Sequence, residues 1–120
     1  MITGVHTIVF ADDADAARAF FRDVLGLGSV DAGGGWLIFA LPPGELALHP
    51  GAAGEHRLSL MCDDLEATMA ELAGRGAEFA GPVTEERWGR LVPLCVPGAG
   101  EVVLYQPTHR SPITPPDRAG

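Results

Sequence analysis

The sequence contains no lysine, and all eight of its basic residues are arginine. Sixteen acidic residues outnumber them, so the formal net charge is −8. Nucleic acids and anionic membrane surfaces attract proteins through an excess of positive charge, which this chain lacks. The composition therefore predicts neither nucleic-acid binding nor binding to a membrane surface.

Cysteine and long apolar runs are also scarce. Cys62 and Cys95 are the two cysteines, they form no CxxC pattern, and each lies in a short apolar run. We interpret both as buried reduced thiols, with a disulfide or a catalytic thiol as open alternatives. Neither a secretion signal nor a run of roughly 18 apolar residues is visible, so we expect a cytoplasmic protein.

Glycine and proline, by contrast, are frequent. Sixteen glycines and ten prolines fall mostly one at a time between periodic segments in a chain of 120 residues. This spacing is typical of turns in a single folded domain. Proline clusters only near the end, in SPITPPDRAG. We therefore predict one domain over residues 1–108 and a proline-rich tail over residues 109–120.

The first half alternates strand and helix patterns. β-Branched and aromatic residues predict a strand over residues 5–11, and a helix capped by Asp12 follows it. A short segment at residues 29–32 precedes a strand over residues 36–41, which a PPG turn joins to a hairpin partner at residues 45–49. The apolar stripe of the helix consists of Ala17, Phe20, Phe21, Val24 and Leu25.

The second half repeats this order. The predicted strands cover residues 57–62, 77–80, 91–96 and 101–106. The helix after the first of them has Asp63 as its cap and Glu66 at the capping-box distance. Its apolar stripe consists of Leu65, Met69, Leu72 and Ala73.

The two halves also align letter by letter. FADDADAARAF lies over MCDDLEATMAE, and PPGELALHP lies over GAGEVVLYQP with one extra residue before the closing proline. Two copies are too few for a solenoid, so we predict an α+β fold of two similar modules, residues 1–53 and 54–108. Each helix covers the outer face of its sheet, and the inner faces line a cleft.

Three segments in order resemble the vicinal oxygen chelate superfamily: HTIVFADDADAARAFFRDVLGLG, LMCDDLEATMAELAGRGAEF and VPGAGEVVLYQP. This superfamily contains glyoxalase I, extradiol dioxygenases, and fosfomycin-resistance and bleomycin-resistance proteins. The resemblance covers residues 3–108. It implies paired βαβββ modules that form an incomplete barrel around a cleft, and it implies a homodimer.

The resemblance also implies four positions for the ligands of a divalent metal, which correspond here to His6, Ala47, Arg57 and Val103. Arginine stays protonated and has no lone pair to donate, and alanine and valine carry no donor atom. A zinc, iron or manganese site normally needs at least three protein donors. Since only His6 is a donor, we predict that the protein has no metal cofactor.

Substitute ligands leave an alternative open. A divalent metal near His6 could also use Glu101 and one of Glu45 or His49, or His56 if a bulge turned it inward. Glu45 and His49 cannot both bind one ion, because four residues of strand separate them by about 13 Å. A rebuilt site would favour a metal-dependent glyoxalase or extradiol dioxygenase. A metal-free isomerase or cyclase, with His6 as base and Arg57 as oxyanion partner, is a third hypothesis.

Strand alternation and the two tryptophans point to a cleft that binds a ligand. An arginine that faces inward, such as Arg57, needs an anionic or planar partner, and Trp88 in a polar loop can stack on a flat molecule. The predicted lining is His6, Trp36, Glu45, His49, Arg57, Ser59, Met61, Trp88, Glu101 and Tyr105. We therefore predict a metal-independent homodimer that sequesters a small aromatic compound or antibiotic, as bleomycin-resistance proteins do.

Overall fold

The computed structural model describes residues 7–45, 47, 50, 53 and 56–108. Within these residues there are two helices and six strands. The strands form two separate sheets that do not close into a barrel. In chain order the elements are α1 (Ala14–Asp23), β1 (Ser29–Asp31), β2 (Leu37–Phe39), β3 (Ser59–Met61), α2 (Leu65–Gly74), β4 (Thr84–Glu86), β5 (Gly89–Val96) and β6 (Gly100–Pro107). The predicted α+β fold class is confirmed.

The larger sheet has the strand order β3-β6-β5-β4. β3 runs parallel to β6, and the other neighbours are antiparallel. Alternate residues of β5 and β6 point to one face, which α2 covers through Leu65 and Leu72. The buried residues of that face are Val92, Leu94, Val96, Val102 and Leu104. They form the main hydrophobic core.

The smaller sheet is a hairpin of β1 and β2, in which Val30 pairs with Ile38. One face of the hairpin packs on α1, where the rings of Phe39 and Phe21 lie 5.9 Å apart. On the other face, Val30 is 68% exposed and Ile38 is 39% exposed. The hairpin therefore has an apolar face that the described part of this chain leaves in contact with solvent.

Helix α1 packs against the same core as α2. Ala17 and Phe20 are buried in the cluster that the larger sheet forms. At the start of the helix, the backbone N–H of Asp13 donates to the Gly98 carbonyl at 3.0 Å. At its other end, Nη1 of Arg75 donates to the carbonyl of Val24 at 2.8 Å. These contacts join the first helix to the second half of the chain.

Both helix caps lie one residue later than the sequence predicted. Asp13 and Asp64, not Asp12 and Asp63, are the N-caps, and each carboxylate accepts a hydrogen bond from the N–H three residues on at 3.0 Å. Adjacent aspartates are equally good caps by residue type, so the sequence pattern did not distinguish them. With the cap at Asp64, Glu66 is outside the capping-box position.

The strand predictions of the second half are largely confirmed. β3, β5 and β6 lie on the segments predicted at residues 57–62, 91–96 and 101–106. Residues 77–80 pair with β5 only through an isolated antiparallel bridge between Phe79 and Leu94, so the predicted strand is reduced to a bridge. The fourth strand is β4, whose polar TEE sequence lacks the apolar alternation typical of a strand.

In the first half, the strand predicted at residues 36–41 appears as the shorter β2. The described part of the strand predicted at residues 5–11 is irregular, and Phe10 is 88% exposed. Of residues 45–49, Glu45 and Ala47 are described and lie outside regular strands. The other residues of that segment, 46, 48 and 49, lie outside the described ones. Among the described residues β2 pairs with β1, because the tight turn at glycines 33–35 brings those two segments together.

Candidate functional site

The face of the larger sheet opposite the core carries several of the predicted lining residues. Met61, Tyr105 and Leu91 are aligned across β3, β6 and β5, and the adjacent row contains Ser59, Val103 and Pro93. We call the surface formed by Ser59, Met61, Leu91, Pro93, Val103 and Tyr105 the open face. Five of these six side chains are apolar or aromatic, so the open face can pack against an apolar ligand.

Trp88 lies at one end of the open face, in the turn between β4 and β5. Its indole ring meets the Tyr105 ring edge to face, with the centroids 5.5 Å apart. The Tyr105 hydroxyl donates a hydrogen bond to the backbone carbonyl of Trp88 at 3.1 Å. Tyr105 is buried, whereas Trp88 is 47% exposed. Trp88 is therefore the aromatic residue of this pair that presents ring surface to solvent.

Glu45 acts electrostatically on the same end of the site. Burial is the main cause that raises the pKa of Tyr105, and the negative charge of Glu45 raises it further. Glu101 lies four residues from Tyr105 along β6, about 13 Å away at strand spacing, where it pairs with Cys95. The Tyr105 end of β6 therefore has a nearby carboxylate that the chain supplies from outside the sheet.

The remaining predicted lining residues are not all brought to this place. Arg57 is exposed and precedes β3. Trp36 is 63% exposed beside the hairpin, where the Arg18 guanidinium lies 4.8 Å from the centre of its ring. His6 and His49 lie outside the described residues. The structure thus gathers Ser59, Met61, Trp88 and Tyr105, with Glu45 near them, as the candidate site, and leaves Trp36 next to α1.

Leu91 and Pro93 also lie on the open face but were not among the predicted lining residues. Their signal is the alternation in LVPLCV, which places them opposite the buried Val92 and Leu94. Gly89, which lies directly against the Tyr105 ring, was also not predicted as part of the site. No pattern of residue types distinguishes such a glycine from an ordinary turn glycine.

Metal-binding side chains do not assemble in the described part of the chain. No group of three or more His, Cys, Asp or Glu side chains there has the geometry to hold an ion. At the positions that the resemblance assigns to ligands, Ala47 and Val103 carry no donor atom and Arg57 has no lone pair. These residues do not fit a divalent metal.

Cys62 packs against the hydrophobic core. Cys62 and Cys95 are both unpaired, as predicted, but they are half-buried and not fully buried. Burial raises the pKa of the Cys62 thiol, so its reactive thiolate form is disfavoured at neutral pH.

A second concavity, of about 280 Å³, lies away from the open face. It lies between α1 and part of the second half of the chain, and none of the predicted lining residues lines it. Its walls are Ala16, Ala19, Phe20, Asp23, Val24, Gly76, Glu78, Cys95 and Pro97. This concavity is thus distinct from the candidate site.

Known proteins with the same architecture include a binding protein and an enzyme. TnmS3, an antibiotic binding protein from Streptomyces sp. CB03234, is 27% identical with a TM-score of 0.63, over 89% of this chain and 98% of its own. A lactoylglutathione lyase from Agrobacterium tumefaciens is 20% identical with a TM-score of 0.62, over 88% and 95% of the two chains. The second likeness shows the fold alone.

A superfamily member from Sphaerobacter thermophilus DSM 20745 is 22% identical with a TM-score of 0.60, over 88% of this chain and 98% of its own. Among curated protein sequences, none matches the chain. In the described residues, no helix is long and apolar enough to span a membrane. The sequence profile of one superfamily matches residues 4–94, which is most of the chain. The chain therefore belongs to the Glyoxalase/Bleomycin resistance protein/Dioxygenase superfamily.

Proposed function

We propose that this protein binds a small planar aromatic molecule on the open face, without a metal, and so sequesters it. The observation that carries the proposal is the half-exposed indole of Trp88, held against Tyr105 at the end of an apolar sheet surface. Burial of an aromatic ligand on such a surface supplies the binding energy, and the indole adds a stacking contact.

The chemistry of the donor set supports binding without a metal. Of the four ligand positions that the superfamily uses, three are Ala47, Arg57 and Val103, none of which can coordinate a cation. The proposed mechanism therefore contains only apolar burial, ring stacking and hydrogen bonds to polar groups at the rim. Ser59, on the open face, can accept a hydrogen bond from an N–H or O–H group of the ligand.

The likeness to TnmS3 supports an antibiotic as the ligand class. TnmS3 is an antibiotic binding protein, and the identity of 27% extends over nearly the full length of both chains. We extend its binding role to this chain as part of the proposal. Two free thiols are consistent with a reducing compartment, so we also propose a cytoplasmic location.

We propose further that the hairpin face binds a second copy of the chain. Val30 and Ile38 are exposed side by side on the hairpin, and Ile8, Phe10 and Trp36 in the first half of the chain are exposed as well. Hydrophobic residues make up 47% of the chain, and many of them lie outside the buried core. A homodimer would remove this surface from water.

Binding is tested with acridone, a neutral planar tricyclic aromatic, and with a panel of aromatic antibiotics, after dialysis of the protein against a chelator. Quenching of tryptophan emission should accompany binding. Trp88→Ala should weaken acridone binding about tenfold or more, because it removes the stacking surface. Trp36→Ala is the matched control and should retain the affinity. Absence of binding across the panel, or binding that requires added metal, overturns the proposal.

The homodimer is tested by sedimentation of the parent protein and of Ile38→Arg. The parent should sediment as a dimer, and the buried charge of the variant should shift it to a monomer. Ala70→Arg adds the same charge on the exposed side of α2 and should leave the dimer intact. A monomeric parent contradicts this part of the proposal.

A further inference from the structure

The turn that carries Trp88 is tied to the end of β6 by three hydrogen bonds. The Trp88 carbonyl accepts from the Tyr105 hydroxyl at 3.1 Å and from the backbone N–H of Thr108 at 3.0 Å. One residue earlier, the carbonyl of Arg87 accepts from Oγ1 of Thr108 at 3.0 Å. Both carbonyl groups of the turn are thus held by β6 and the residue that follows it.

Close packing supports the same arrangement. Gly89, directly after Trp88, lies so near the Tyr105 ring that a Cβ at this position would collide with Cε1. The Tyr105 ring is therefore enclosed between the Gly89 backbone and the Trp88 indole. Tyr105 is 7% exposed although it belongs to the open face.

This geometry gives the two aromatic residues different roles. Tyr105 has little free surface to offer a ligand, and its hydroxyl donates to the turn. Trp88 has a half-exposed ring and is fixed by its neighbours. A ring that is already in place loses little rotational freedom when a ligand stacks on it, which improves affinity.

We propose that Tyr105 is a positioning residue that acts through Trp88. Its contacts hold the β4–β5 turn in one conformation and so keep the indole in the orientation in which it forms the wall of the ligand site. This inference rests on the proposed function, in which Trp88 stacks on a planar ligand. It assigns to the Tyr105 hydroxyl a role in the selection of flat molecules over compact non-planar ones of similar size.

The test uses the full chain with Trp36→Phe, so that Trp88 is the only tryptophan. Tyr105→Phe then removes the hydroxyl and keeps the ring. Time-resolved fluorescence anisotropy measures the nanosecond mobility of the indole, and calorimetry measures the affinity for acridone and for adamantan-1-ol, a compact non-planar alcohol. Tyr105→Phe should increase the mobility and weaken acridone binding about two- to tenfold, with a smaller effect on adamantan-1-ol.

Thr68→Val is the matched control for a general loss of stability. It also removes one side-chain hydrogen bond to a backbone carbonyl, that of Asp64 at 2.8 Å, but in α2. It should leave Trp88 mobility and acridone affinity unchanged. Thr108→Val, which releases the Arg87 carbonyl, is a second variant of the turn and should act in the same direction as Tyr105→Phe.

Unchanged indole mobility in both Tyr105→Phe and Thr108→Val overturns the positioning role. Equal losses of affinity for acridone and adamantan-1-ol also overturn it, since they indicate a general effect on the site. If the parent protein binds no acridone, the proposed function fails, and the anisotropy comparison still decides whether Tyr105 positions Trp88.

Discussion

Tyr105 and Trp88 contact each other in two ways, edge to face through their rings and by a hydrogen bond from the tyrosine hydroxyl to the tryptophan carbonyl. The first contact fixes the side chain of Trp88, and the second fixes its backbone. This pair connects the core sheet to the half-exposed indole at the end of the open face. The proposed binding function depends on that connection.

Tyr105 should titrate above the ordinary tyrosine pKa of about 10. Burial disfavours the charged phenolate, and the negative charge of Glu45 adds to the effect. Since the chain has a single tyrosine, the ultraviolet absorbance of tyrosinate measures this group alone. Glu45→Gln should lower the pKa only in part, because burial is the larger cause.

The same shift predicts a loss of stability at alkaline pH. The neutral hydroxyl is favoured in the folded state, so its contribution is complete below the pKa of the unfolded chain and disappears as the pH rises through the raised folded pKa. Denaturant unfolding at several alkaline pH values measures this loss. A folded-state titration midpoint at or below that of the unfolded chain contradicts the account.

Gly89→Ala should destabilise the fold by about 1–3 kcal/mol, the usual cost of an overpacked site. The added methyl group would collide with the Tyr105 ring and lie 2.8 Å from the Gln106 carbonyl oxygen. Gly28→Ala is the control, because nothing lies within 4 Å of its Cβ position. Equal free energies of unfolding for the two variants would show that Gly89 is not packed against Tyr105.

Gly98→Ala should cost more than Gly100→Ala. Both glycines have a left-handed backbone, with φ of +78° and +83°, and alanine in that region costs roughly 1–2 kcal/mol. Only at Gly98 would the added Cβ also collide with the backbone of Asp13, whereas at Gly100 the space is open. The difference between the two free energies of unfolding measures the contact that joins α1 to the second half of the chain.

Asp64→Ala should lower the free energy of unfolding by about 1 kcal/mol, the typical value of an N-cap. Asp63→Ala should change it by less than about 0.5 kcal/mol, as for other exposed positions. Thermal unfolding of the two variants at neutral pH makes the comparison. A larger loss of unfolding free energy in Asp63→Ala than in Asp64→Ala would show that Asp63 is the N-cap, as the sequence pattern suggested.

The helices and the two long strands could be predicted because the spacing of their apolar residues indicates which side chains are buried. The stripe of Ala17 and Phe20, and the alternation that buries Val92 and Leu94, follow directly from the periods of helix and strand. β4 could not be predicted in this way. Its three residues are polar and exposed, and its pairing with β5 depends on the intervening turn.

The candidate site divides along the same line. Strand alternation places Ser59, Met61 and Tyr105 on one face, and the structure agrees. The acceptor for the Tyr105 hydroxyl is a backbone carbonyl. Because every residue carries such a carbonyl, this hydrogen bond could not be predicted from residue types. The contact between Gly98 and Asp13 was hidden for a similar reason, since it joins two backbones that are distant in sequence.

The most direct test of metal-free aromatic binding is a titration of isotope-labelled, chelator-treated protein with acridone, followed by nuclear magnetic resonance. We predict shift changes concentrated at the Trp88 indole N–H and at the amides of Leu91, Val103 and Tyr105. Changes confined to the walls of the cavity beside α1, such as Phe20 and Glu78, or no changes at all, would contradict the account.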